Sequence, residues 1–226
     1  MLTRISPGIF FMEKEILSVS QGYEHVNRAL GERERYVVGI GGLPGSGKST
    51  LAMALCQQLG DVCAVVGMDG FHYPRSYLDT MANPVEAHRR RGAHWTFDAD
   101  GFAQLIYRLQ CTPHETVSYP TFDHAVKDPV MNGLITPNHR IILCEGLYCT
   151  LDMPPWNTIQ FNERWFFDTP PEDCWSRLVK RHVSSGLCDN EEQAWERIRT
   201  NDALNADTIQ QHIMDNIHYI NVHPSF

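Results

Sequence analysis

Short apolar runs alternate with amphipathic stretches along most of the chain, the pattern of strands followed by covering helices. Tyr36-Val37-Val38-Gly39-Ile40 reads as a buried strand, and residues 62–68, 116–119, 140–144, 164–167 and 219–222 read as five more. Helical spacing occupies residues 16–30, 50–59 and 99–110, the last with Asp98 as its N-cap. Pro170-Pro171-Glu172 opens a further helix that runs to about Ser184, with acids early and bases late as the macrodipole favours. Such alternation predicts an α/β fold, a mostly parallel sheet with helices on both faces. In open sheets of this kind ligands gather at the carboxyl ends of the strands, so the residues just after each strand carry the chemical interest.

The first strand leads into Gly42-Leu43-Pro44-Gly45-Ser46-Gly47-Lys48-Ser49, a complete G-x-x-x-x-G-K-[ST] loop, with Thr50 opening the helix behind it. Several backbone N–H groups must converge on a polyanion there, and side chains at Gly42, Gly45 and Gly47 would obstruct them. Lys48 is expected to reach the β- and γ-phosphates and the Ser49 hydroxyl to ligate Mg²⁺, with the helix N-terminus adding its dipole. Strand, loop and helix stand in the order a nucleoside triphosphate site of the P-loop NTPase fold requires.

Size and charge narrow the partners. A chain of 226 residues with 42% hydrophobic content suits one α/β domain at residues 36–226 behind a helical extension at residues 1–35. Gly31-Glu32-Arg33-Glu34-Arg35 reads as a polar connector between them. A net charge of −8 argues against nucleic acid as a partner, since neutralising many phosphates needs a basic face. Anion sites must be made locally, from Lys48, from Arg89-Arg90-Arg91, or from Arg177, Lys180, Arg181 and His182. The run at 89–91 is ordinarily a solvated face. The seven cysteines form no C-x-x-C pair and read as reduced core thiols, not zinc ligands. Ile9-Phe10-Phe11-Met12 is followed at once by charge and reads as no signal peptide, and no stretch reaches the roughly 18 apolar residues of a membrane span. The expected location is the cytoplasm, and a homodimer is left open.

Three carboxylates follow strands. Asp69 comes directly after the second, on the rim that holds the glycine loop, where it can accept the proton of an attacking hydroxyl; the alternative is a plain Asp-Gly turn. Glu145 ends the run Ile141-Ile142-Leu143-Cys144, where it can position Mg²⁺ through water, or else simply face solvent. Asp168 ends another strand and reads as a cap for the helix that follows.

Taken in order, these motifs resemble the phosphoribulokinase and uridine kinase family of P-loop kinases, with a likeness to bacterial-type pantothenate kinase, over residues 36 to about 220. Met68-Asp69-Gly70-Phe71-His72-Tyr73-Pro74 is similar to the acid segment of pantothenate kinase. Arg91-Gly92-Ala93-His94-Trp95-Thr96-Phe97-Asp98 resembles the segment that closes on the acceptor, and Tyr119-Pro120-Thr121-Phe122-Asp123-His124 the aromatic segment that holds a nucleoside. Cys144-Glu145-Gly146-Leu147-Tyr148 looks like the strand-end Glu-Gly motif, and Phe122-Asp123-His124 with Asp128-Pro129 points to the uridine-kinase-like subgroup.

The resemblance implies Arg177 and Arg181 as lid arginines over the triphosphate, in a small helical lid at about residues 177–190 whose Ser184-Ser185-Gly186 end is hinge-like. Asn201 and Asn205 would face the nucleotide or cap a helix over 206–217. The family pattern departs at Gly70-Phe71-His72, where uridine kinases carry a Phe-Tyr pair, so base-recognition contacts do not transfer.

The expectation is an ATP-dependent kinase acting on a hydroxyl of a small metabolite. Asp69 serves as base, Lys48 and Arg181 stabilise charge, and Ser49 and Glu145 frame Mg²⁺. His72, Tyr73, Phe97, Tyr119, Phe122 and His124 line the acceptor, a nucleoside first and otherwise pantothenate, a sugar or a glycerate-type acid. The competing class is a nucleotide-dependent switch, which needs no acceptor pocket.

Overall fold

The computed structural model describes residues 18–123 and 125–220. His124, Asn221, Val222 and the Ile9–Met12 patch therefore lie outside the described residues. In chain order the elements are α1 (Val19–Leu30), β1 (Tyr36–Gly42), α2 (Lys48–Leu59), β2 (Cys63–Gly67), α3 (Arg75–Leu78), α4 (Pro84–Arg89), α5 (Ala99–Cys111), β3 (Val117–Asp123), β4 (Asp128–Ile135), β5 (Ile141–Glu145), β6 (Glu163–Phe167), α6 (Pro171–Ser184), α7 (Glu191–Arg197), α8 (Ala203–Gln211) and β7 (His218–Ile220).

The central sheet has the order β2-β5-β1-β6-β7, with every pairing parallel. Its strands are buried on both faces, and period-2 alternation sends neighbouring residues to opposite cores. Val38, Ile40, Ile141, Leu143, Trp165 and Phe167 pack with Val26 and Leu30 of α1 and Leu51 and Leu55 of α2. Val37, Ile142, Cys144 and Phe166 face the other way, onto Phe102, Ile106 and Leu109 of α5 and Ile209 of α8. A third, smaller cluster joins Leu178 and Val179 of α6 to Ala194 of α7 and Ile198.

Several expectations change. The strand foreseen at 116–119 is real but leaves the parallel sheet: β3 pairs antiparallel with β4, which the apolar pattern did not reveal, in a separate two-stranded ribbon. Exposure of Met131 and Leu134 masks the alternation of β4. The helix foreseen at 206–217 begins at Ala203 and ends at Gln211. Asp168 does not cap α6, whose N-cap is Pro170 with no side-chain bond, whereas Asp98 caps α5 by accepting from the Gly101 N–H. Arg35 is no solvated connector residue. It is 5% exposed and donates to the carbonyls of His139, Leu109, Pro113 and Thr136, satisfying chain ends that burial would otherwise leave unpaired.

Candidate active site

The glycine loop joins the end of β1 to α2 at the carboxyl edge of the sheet. Gly45 and Gly47 have φ of 78° and 106°, the left-handed region that glycine alone enters without strain. A Cβ on Gly45 would also meet the Cys174 carbonyl oxygen at 2.6 Å. Gly47 is the N-cap of α2 and offers no capping side chain, so the first-turn N–H groups stay available to an anion. The loop is braced from the β6–α6 connection and from α6: the Ser46 carbonyl accepts from Thr169 Oγ1 at 2.9 Å and from Arg177 Nη1 at 2.8 Å. Thr169 was not legible as a loop brace, because its partner lies 123 residues away. The Ser46 hydroxyl is buried without a partner.

Lys48 is 8% exposed and donates to the Leu43 carbonyl at 3.2 Å. Burial lowers its affinity for a proton, while the charges of Glu145 and Asp69 raise it again and Arg181 opposes them. Glu145, at the end of β5, accepts from the Ser49 hydroxyl at 2.9 Å. Burial pushes its carboxyl up, Lys48 pulls it down, and Asp69 and Arg181 act on it with opposite signs. Ser49, Lys48, Glu145, Asp69 and Arg181 thus share one electrostatic neighbourhood although they come from α2, the ends of β2 and β5, and α6.

Asp69 lies exposed in a short 3₁₀ turn, Met68–Phe71. Gly70 has no positive φ, so the segment is not an Asp-Gly turn of the hairpin kind. A Cβ on Gly70 would stand 1.9 Å from the Pro120 carbonyl oxygen: glycine is required because β3 crosses there. Beside Asp69, the His72 ring contacts Phe97 at 4.0 Å and Phe122 at 5.0 Å between centroids, and its Nδ1 lies 2.8 Å from the Asp69 carbonyl oxygen. Burial lowers the His72 imidazole's basicity, with Asp69 opposing.

Not every expected lining residue faces that space. Phe97 is 3% exposed and lies behind His72, against Tyr148 and Trp156. Tyr119 is buried and its hydroxyl donates to the Val65 carbonyl at 3.3 Å, so its ring is not a free stacking platform. Tyr73 stacks on Tyr77 and, together with Gly70, His72 and Tyr119, lines a groove of about 410 Å³ between α5 and the β3–β4 ribbon.

The basic run divides. Arg89 pairs with Glu86 at the surface, Arg90 donates to the side-chain oxygens of Asn201 and Asn205, and Arg91 binds Asp128 at 2.6 Å and the Tyr73 and Lys127 carbonyls. The two asparagines therefore do not cap α8, which has no side-chain cap. Their amide N–H groups hold the carbonyls of Arg91 and Gly92, and Tyr148 donates to Gly92 as well, fixing the 91–97 segment as a wall.

A glycine cradle at the head of a parallel sheet, with carboxylates at two neighbouring strand ends, defines a P-loop kinase-like protein. No protein-family model matches the chain. It is 34% identical over 208 residues to the Schizosaccharomyces pombe protein named "Putative uridine kinase C227.14", covering 88% of each chain. It is 33% identical to the "ATP-dependent kinase YFH7" of Lachancea thermotolerans, over 90% of this chain and 73% of that one. A solved structure described as a "putative fructose transport system kinase" from Silicibacter sp. TM1040 superposes with a TM-score of 0.78 at 32% identity, over 90% of this chain and 98% of its own. The chain belongs to this uridine-kinase-like family of ATP-dependent P-loop kinases. Among the described residues no helix is long and apolar enough to cross a membrane.

Proposed function

We propose that the protein transfers the γ-phosphate of ATP to a hydroxyl of a small polar metabolite bound beside Asp69. The observation that carries this reading is the mutual influence of Lys48, Glu145, Asp69 and Arg181 around the Ser49–Glu145 hydrogen bond, at the mouth of the glycine loop. Residues 42–50 would cradle the triphosphate through backbone N–H groups, and Lys48 would lie along its β- and γ-phosphates. Asp69 would take the proton of the attacking hydroxyl, while Arg181 meets charge developing on the transferred group. The unpartnered Ser46 hydroxyl supports an anion seat there.

Mg²⁺ fits the same place. Ser49 and Glu145 offer two hard oxygen donors 2.9 Å apart, and a cation beside Glu145 would offset the burial that now raises its carboxyl. The metal would supply neutralisation of phosphate charge. Arg177 already braces the loop through Ser46, so its role is to hold the donor site, with Arg181 one turn further along α6 serving as the lid cation over residues 177–190.

For the acceptor, His72 and Phe122 remain as the aromatic face next to Asp69. A nucleoside stays the first candidate, supported by the name of the Schizosaccharomyces pombe relative, and a sugar the second, supported by that of the Silicibacter structure. Pantothenate and glycerate-type acids complete the set. ADP release should be slow with ATP, Mg²⁺ and water alone and rise with one class of hydroxyl compound when nucleosides, sugars, pantothenate and glycerate are screened. Equal release with and without every compound would favour the nucleotide-switch reading.

A further inference from the structure

At the opposite end of the sheet the fold gathers a second set of donors. Glu163 begins β6 and pairs with Val38, whereas the other end of β6, Phe167, pairs with Gly42 of the glycine loop, about 13 Å further along the strand. His25 reaches Glu163 from α1, and His218 from the start of β7. Among the described residues this is the one group of three His, Cys, Asp or Glu side chains whose donor atoms all lie within 4.8 Å of one another.

We propose that His25, Glu163 and His218 bind a divalent late first-row cation, with Zn²⁺ as the representative ion. The two imidazoles aim the same nitrogen at the same oxygen. His25 Nε2 lies 2.7 Å from Glu163 Oε1, and His218 Nε2 lies 2.7 Å from that same atom. The rings stand 5.5 Å apart at 60°, so both point inward without stacking. Tyr36 donates its hydroxyl to Oε2 at 2.8 Å, which orients the carboxylate as outer-shell partners of metal ligands do; His25 Nε2 lies 2.9 Å from Oε2 as well, and Oε1 is the oxygen both imidazoles share.

Donor chemistry selects the ion. Two imidazole nitrogens and one carboxylate oxygen suit zinc and its neighbours, while Mg²⁺ and Ca²⁺ prefer all-oxygen surroundings. Tetrahedral bonds of the usual zinc–nitrogen length set ligand atoms about 3.3 Å apart, so each imidazole nitrogen need draw back from Oε1 by only about half an ångström, and all three donors already lie within 4.8 Å of one another. Access is retained, since the His25 and His218 side chains are 16% and 27% exposed, and the fourth position is left to water. The buried Trp165 ring lies against His25 and gives the site an apolar shelf. Because the three ligands come from α1, β6 and β7, an ion there would tie the first helix and the last strand to the sheet.

The test is equilibrium dialysis of the chelator-stripped full chain against Zn²⁺, with Co²⁺ absorption as a spectroscopic readout. One Zn²⁺ should bind per chain, His25→Ala and His218→Ala should each weaken it by about 100-fold and erase the Co²⁺ d–d bands, and Tyr36→Phe should weaken it by about 10-fold while keeping them. His218→Asn serves in place of any alanine variant that fails to fold. Ser49→Ala should leave zinc binding unchanged. Failure of the native chain to retain zinc, undiminished binding in the histidine variants, or loss of zinc in Ser49→Ala would each overturn the proposal.

Discussion

Gly70 shows how a single residue reports a constraint that no side chain could. The Pro120 carbonyl occupies the space its Cβ would need, and backbone cannot swing aside as a side-chain tip can. Gly70→Ala should therefore destabilise the fold by about 1–3 kcal/mol, the usual cost of overpacking, and displace Asp69 from the rim; chemical denaturation reads the first effect. At this scale the glycine loop was fully legible, because Gly42, Gly45 and Gly47 report a backbone path directly. Asp69 and Glu145 could be singled out as candidates because each lies at or just past the end of a strand. The bond of the Tyr119 hydroxyl to the Val65 carbonyl was not readable, since a strand shows one face to the site and the other to the core, and sequence does not say which. Asn201 and Asn205 were misread for another reason: their partner Arg90 lies 111 and 115 residues away.

At the level of elements, the parallel strands and their longer covering helices followed from period and order, whereas the short helices α3, α4 and α7 and the pairing of the β3–β4 ribbon escaped. Phe122 and Asp123 end β3, and Asp128 and Pro129 begin β4. There Asp123 accepts from the Ala125 and Val126 N–H groups, and Lys127 turns at a φ of 59°. Asp128 latches the ribbon to the wall of the site through Arg75 and Arg91. Partial burial raises its carboxyl, but the hydrogen bonds from both arginines outweigh this and hold it below the usual carboxylate range. The latch is thus at full strength above a carboxylate's ordinary pKa and is lost as pH falls through the lower folded value. The protection factors of the ribbon amides, which are exchange rates relative to the intrinsic rate at each pH, should hold between about pH 5 and 8 and fall below about pH 4, and Asp128→Asn should bring the lower protection at neutral pH. Unchanged exchange in the variant would show that the latch does not hold the ribbon.

On the scale of the whole molecule, one parallel sheet serves two ends. Its carboxyl edge carries the glycine loop and the convergent charges, and its amino edge carries the His25, Glu163 and His218 cluster. Only the first was readable beforehand, because P-loop residues are contiguous while the second cluster is scattered over α1, β6 and β7. Membership of the uridine-kinase-like family of ATP-dependent P-loop kinases is shown by relatives that align along most of the chain. The proposed transfer to an acceptor hydroxyl rests on Asp69 as its base. With the acceptor found in the screen, Asp69→Asn should bind ATP with native affinity and lower the single-turnover transfer rate by roughly 10²- to 10⁴-fold, whereas transfer at the native rate would contradict the assignment of Asp69 as the base.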